Sequence, residues 1–164
     1  MRKVQNLQMK LGEKSIKDIK IDLKSRDDIP KLLLGLQHIY ITPEIREEVF
    51  QILKELLPNR AKHKNQKADP GKGRKGMEQW KILVLGTLRL GLNRDYDHIQ
   101  ELANQHNTIR QMLGHSDWWE DKTTYELQTI KDNLCLFTPD MLERINQIVV
   151  RSGHTLLKKN RKIY

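Results

Sequence analysis

The sequence predicts an all-α protein: a helical bundle with a helix-turn-helix-like C-terminal part and a short extended N-terminal arm. Two observations point there. Apolar residues recur at three- and four-residue spacing in successive windows, most of them opened by a residue suited to starting a helix. Strand-like alternation is confined to 16–23, and one short strand cannot build a sheet alone.

In that first stretch Ile19, Ile21 and Leu23 alternate with Lys20 and Asp22, which predicts an extended arm lying on the helices or pairing with another chain. Asp28 and Pro30 open a helix that ends near Tyr40. Thr42 caps the next, with Pro43 at its first position and Glu44, Glu47 and Glu48 near the positive end of the dipole. Its stripe is Ile45, Val49, Ile52, Leu53, Leu56 and Leu57.

The segment 58–76 has two prolines, three glycines and no large apolar residue, so it reads as a linker. A helix over 77–90 follows, apolar nearly all round and therefore central, with Gly91 as its expected end. Short helices are predicted over 95–104, buried through Tyr96, Ile99, Leu102 and Ala103, and over 108–113, stopped by Gly114. Thr123 and Glu126 form a capping-box pair opening a helix to about Leu134. Thr138 and Pro139 open the last helix, whose stripe is Leu142, Ile145, Ile148 and Val149 and whose expected end precedes Gly153. The predicted organisation is an arm and helices over 1–57, a basic linker over 58–76, a helical domain over 77–153 and a basic tail over 154–164.

A length of 164 residues suits one globular unit with arms. Thirty Lys and Arg against 21 Asp and Glu leave a net charge of +9, which points to an acidic partner such as nucleic acid. The excess is uneven. Residues 61–76 carry +5 and the tail over 151–164 another +5, whereas 77–150 carry −4. An aromatic content of 5% argues against stacking single-stranded bases on an aromatic platform. The single cysteine, Cys135, makes no internal disulfide, and the 13-residue apolar run over 80–92 falls short of the ~20 needed to span a bilayer. A soluble cytoplasmic protein without a membrane partner is the expectation.

Gly71, Gly73 and Gly76 match G-x-G-x-x-G, but the preceding KHKNQKADP is no strand, so no dinucleotide site is predicted. Lys72, Arg74 and Lys75 in that loop suit phosphates or a minor groove; the alternative is a solvated linker. The six histidines show no zinc spacing, and no Ser-His-Asp or Cys-His arrangement stands out, so neither metal nor catalytic residues are predicted. Over 94–134 the order of short helix, tight connection, short helix and capped helix is that of a helix-turn-helix region. Lys122, Thr123, Thr124, Gln128 and Lys131 are its exposed candidates, and Arg110 could hold a phosphate. Asp117, Glu120 and Asp121 oppose DNA there, and a purely structural bundle is the competing reading. Trp118 and Trp119 could form a protein contact.

The run MEQWKILVLGTLRLGLNRDYDHIQELANQHNTIRQMLG, with YELQTIKDNL and INQIVVRSGHTLLKK after it, resembles the N-terminal region of bacterial insertion-sequence transposases of the unclassified group. LKSRDDIPKLLLGLQHIY and TPEIREEVFQIL fit the same group, so the resemblance covers nearly the whole chain. It implies DNA transposition: binding of double-stranded element ends, assembly as a homo-oligomer, and strand transfer by an RNase H-like DDE domain holding divalent metal. No alternation of strands and helices builds such a domain here, so no catalytic carboxylate is carried over to any residue. The expectation is a chain truncated before its catalytic domain, inactive alone and without a cofactor of its own. DNA contacts are expected at Lys72, Arg74, Lys75, Arg110, Lys122, Thr123, Thr124 and Lys131. The rival expectations are a self-association or docking module using the stripe over 45–57 and the tryptophan pair, and an inactive transposase remnant.

Overall fold

The computed structural model of the protein describes residues 3–5, 9, 11–56, 76–116 and 121–161, with Leu56 and residues 152–161 described by backbone alone. Seven α-helices and no strand occur among the described residues. They are α1 (Asp28–Ile41), α2 (Pro43–Leu56), α3 (Gln79–Leu92), α4 (Tyr96–Gln105), α5 (Asn107–Met112), α6 (Leu127–Leu134) and α7 (Pro139–Arg161). None of them is long and apolar enough to cross a membrane.

A helix apolar on every side can only be buried, and α3 lies at the centre. Trp80, Ile82, Leu83, Val84, Leu85 and Leu88 all have essentially no exposure, each contributing ~1.5–3 kcal/mol of transfer free energy. The start of α3 has no side-chain cap from Glu78. Instead the N–H groups of Gln79 and Trp80 donate to the carbonyls of Lys3 and Val4, at 3.0 and 2.9 Å, which satisfies two of the donors a helix start leaves open. The Trp80 indole donates to the Met112 carbonyl at 2.9 Å and meets the rings of Tyr40 and Phe50 edge-on. One side chain thereby ties α3 to α1, α2 and α5.

Gly91 does not end α3, which runs to Leu92. The left-handed closing position falls to Asn93, at φ 50°, and asparagine tolerates that conformation. Gly91 sits instead against α1: a Cβ there would lie 2.9 Å from Cδ1 of the half-buried Leu32, which would have to shift.

The helices on either side of 58–76 share one core. α1 packs on α3, and α2 lies along α7. Ion pairs Arg144–Glu55, at 4.0 Å, and Arg151–Glu48 make α2 and α7 antiparallel. Both pairs are solvent-exposed and set register more than stability. Ile45, Val49, Ile52 and Leu53 are buried inside the molecule, so most of the stripe read as a docking face is already used. α7 also continues through Gly153 to Arg161, so part of the predicted tail is helical. A single helical glycine costs only ~1 kcal/mol, which a 23-residue helix absorbs.

The arm lies on the helices as expected, but its conformation differs from the alternating pattern. Ile16–Asp18 forms a 3-10 turn, Ile16 and Ile19 are buried, and Leu23 is exposed. The cause is Gln37 of α1, whose Nε2 donates to the carbonyls of both Ile16 and Ile19, at 2.9 and 3.0 Å. That clamp curls the chain to a three-residue spacing.

Candidate nucleic-acid interface

α3, α4 and α6 pack against one another, with α5 attached to α4. Asp95 caps α4 by accepting the His98 N–H at 2.9 Å. His106 alone separates α4 from α5 and serves both: its N–H closes α4 on Leu102, and its Nδ1 accepts the Ile109 N–H at 3.3 Å. Burial holds the His106 imidazole below its ordinary pKa against the opposing pull of Asp27, which suits a ring that must accept. Gly114, at φ 81°, turns the chain away after α5.

The predicted capping box does not form. α6 begins at Leu127, and Glu126 stands at its cap position without a side-chain bond. Tertiary contacts override the local signal. Asp121 accepts the N–H groups of Ser116 and Thr123, at 3.0 and 3.2 Å. Tyr125 donates its N–H to Asn104 Oδ1 at 2.7 Å, and its carbonyl accepts from Gln100 and Asn104, both at 3.0 Å. Tyr125 is thereby pinned to α4, and Lys122, Thr123 and Thr124 are exposed in residues 121–126, ahead of α6 rather than on it.

Arg110 is engaged from within. Its guanidinium donates to the carbonyls of Ala103 and Asp121, at 3.2 and 3.4 Å, and its side chain is 14% exposed. Beside it His115 Nε2 pairs with Tyr125 Oη at 2.6 Å, both residues being buried. Burial, joined by the charges of Lys81 and Arg110, brings the His115 pKa down to about 4 against the pull of Asp121. His115 Nδ1 lies 3.4 Å from Asp121 Oδ2, a charge neighbour without a well-aligned hydrogen bond. For Asp121 burial works upward, but hydrogen bonds from Thr123 and Ser116 outweigh it and hold the carboxyl well below its usual range. Burial pushes the Tyr125 hydroxyl well above the usual tyrosine value. Asp121, the neutral, buried His115 and the Tyr125 phenol together fix the segment in front of α6.

α6 buries Ile130 and Leu134 and exposes Gln128 and Lys131. A groove of about 340 Å³ runs between the starts of α3 and α6, where Gly76, Met77, Glu78 and Lys81 face Thr124, Tyr125, Glu126 and Thr129. Another, of about 390 Å³, lies at the α3–α4 turn, lined by Asn93, Arg94, Asp95, Asp97, His98 and Glu101. Sequence reasoning missed Lys81 and Thr129. The available signal was a lysine in the first turn of an otherwise apolar helix.

Of the predicted contacts, Thr124 lines the groove, Lys122 and Thr123 precede it in the same segment, and Lys131 is exposed on α6. Arg110 lies inside, while Lys72, Arg74, Lys75, Trp118 and Trp119 fall outside the described residues. Among the described residues no group of three His, Cys, Asp or Glu could hold a metal ion. The chain matches no protein-family model, no curated protein and no solved structure.

Proposed function

We propose that this chain is a DNA-binding and assembly portion of an insertion-sequence transposase, engaging duplex DNA with α6 and the segment before it. The groove between α3 and α6 carries this reading. Gly76, at the end of a stretch with six basic residues and one acidic, shares that groove with Thr124, Thr129 and Lys81, alongside the carboxylates Glu78 and Glu126. In the sequence Lys72, Arg74 and Lys75 come just before Gly76, while Lys122 and Lys131 are exposed ahead of α6 and on it; these are the phosphate-seeking charges of this reading. With α4 packed behind it and Gln128 and Lys131 outward, α6 has the role of a recognition helix in a helix-turn-helix-like unit. Binding of element ends and self-assembly follow from the transposase reading. Strand transfer would draw on a DDE domain and its divalent metal, and no residue described above is assigned to that step.

Anisotropy of a labelled duplex, titrated across salt, tests the proposal. Wild-type affinity should fall steeply with salt. Lys72→Ala, Arg74→Ala and Lys75→Ala together should reduce the log–log slope by up to ~2.7, and Lys122→Ala with Lys131→Ala by up to ~1.8. No duplex binding, or slopes unchanged in both variants, would overturn it.

A further inference from the structure

Gln128 is exposed on α6 and donates from Nε2 to Asp132 Oδ1, one turn further on, at 2.8 Å. An ionised carboxylate only accepts, so the amide nitrogen must face it and the carboxamide is oriented. One N–H and the carbonyl oxygen then remain for a ligand. With Asp132 taking the N–H anti to the carbonyl, that pair is a donor beside an acceptor in one plane and complements N7 and the N6 amino group of adenine in the major groove. Lys131, three residues on, is exposed on the same side of the helix, within reach of a neighbouring phosphate. Asp132 is half-buried as a residue, and its bond with Gln128 lies at the exposed surface.

We infer that Gln128 is the base-reading residue of α6, specific for an adenine, with Asp132 as the residue that positions it. The inference rests on the DNA-binding reading above. A glutamine–aspartate pair at this spacing also steadies an isolated helix, so the experiment must separate the two roles.

Full-length wild type, Gln128→Ala and Asp132→Ala would each select duplexes from a randomised pool, and bound molecules would be sequenced. The wild type should enrich a site containing an adenine. Gln128→Ala should lose about 5- to 150-fold of the discrimination at that one position, with helical content and salt slope unchanged. Asp132→Ala should weaken the same preference in part while leaving the salt slope alone; a lower melting temperature with undiminished preference would reduce the pair to a helix brace. Wild-type preference in Gln128→Ala, loss at a position other than adenine, or binding without enrichment would each overturn the inference while DNA binding stands. Absence of any duplex binding would overturn both.

Discussion

His115 Nε2 and Tyr125 Oη approach to 2.6 Å in the buried space behind α6, joining the end of α5 to the segment that precedes α6. The short contact suits a neutral imidazole accepting from the phenol. Protonation would convert that acceptor to a donor and charge a ring already near Lys81 and Arg110. A histidine held from 6.5 down to about 4 binds its proton more readily unfolded, so between those values the unfolded chain carries the extra proton. Stability is therefore full above about pH 6.5 and falls as pH drops towards 4. His106, also held low by burial, adds in the same direction. Asp121 acts lower, since its stabilising ionisation is lost only below its ordinary 3.8. Urea midpoints measured down that range should show a loss on the order of 2–3 kcal/mol, and His115→Gln should flatten most of it. A wild-type profile flat between those limits would refute the assignment.

Arg110 yields a prediction opposite to its first reading as a phosphate holder. The guanidinium is a two-carbonyl clamp between Ala103 and Asp121. Lysine cannot reproduce that fork, so Arg110→Lys should cost ~1–3 kcal/mol of stability and speed amide exchange at Thr123 and Tyr125. The salt slope of duplex binding should not move even in Arg110→Gln, which removes the charge. A slope lowered by ~0.9 in an Arg110→Gln protein that remains folded would restore the phosphate role.

The helices were readable where local chemistry and tertiary demand agree. Pro43 starts α2, Gly114 closes the turn after α5, and the apolar α3 is central, all as periodicity and caps indicate. The misses share one cause, long-range hydrogen bonds outweighing local signals. Thr123 and Glu126 have the right spacing for a capping box, but Asn104, 21 residues from Tyr125, pins the chain to α4. Gln37 similarly overrides the alternation over 16–23 from across the arm. Of the candidate interface, Lys122, Thr123, Thr124 and Lys131 could be named from charge and exposure. The facing wall at Lys81 could not, because nothing local relates the start of α3 to that of α6.

Gly86 offers a test of the core at its tightest point. A Cβ there would lie 2.4 Å from Phe137 Cδ1 and 2.6 Å from Cγ, closer than packed atoms allow. Helix propensity favours alanine by ~1 kcal/mol, and the clash opposes it. Because Phe137 is buried, its ring has little room to retreat. Gly86→Ala should therefore destabilise by ~1–3 kcal/mol despite the better helix former. Adding Phe137→Leu should recover part of that loss, whereas equal melting temperatures for Gly86→Ala and wild type would mean the ring yields freely.

The arm supplies the last prediction. Ile16 and Ile19 are buried, and the two carbonyls that Gln37 holds give this turn a polar link to α1. Gln37→Leu removes both bonds while keeping bulk, so local opening should become easier by ~1–2 kcal/mol without unfolding the bundle. Lys17 and Lys20 are exposed on this turn and report the opening as trypsin sites. In the regime where opening is fast relative to cleavage, the rate follows the open population, so cutting there should rise about 5- to 30-fold. Cleavage at Lys81, half-buried in the first turn of α3, should remain slow in the same digest, because α3 opens only with the core. If trypsin cuts the arm of Gln37→Leu at the wild-type rate, the two isoleucines hold it alone and the clamp contributes nothing.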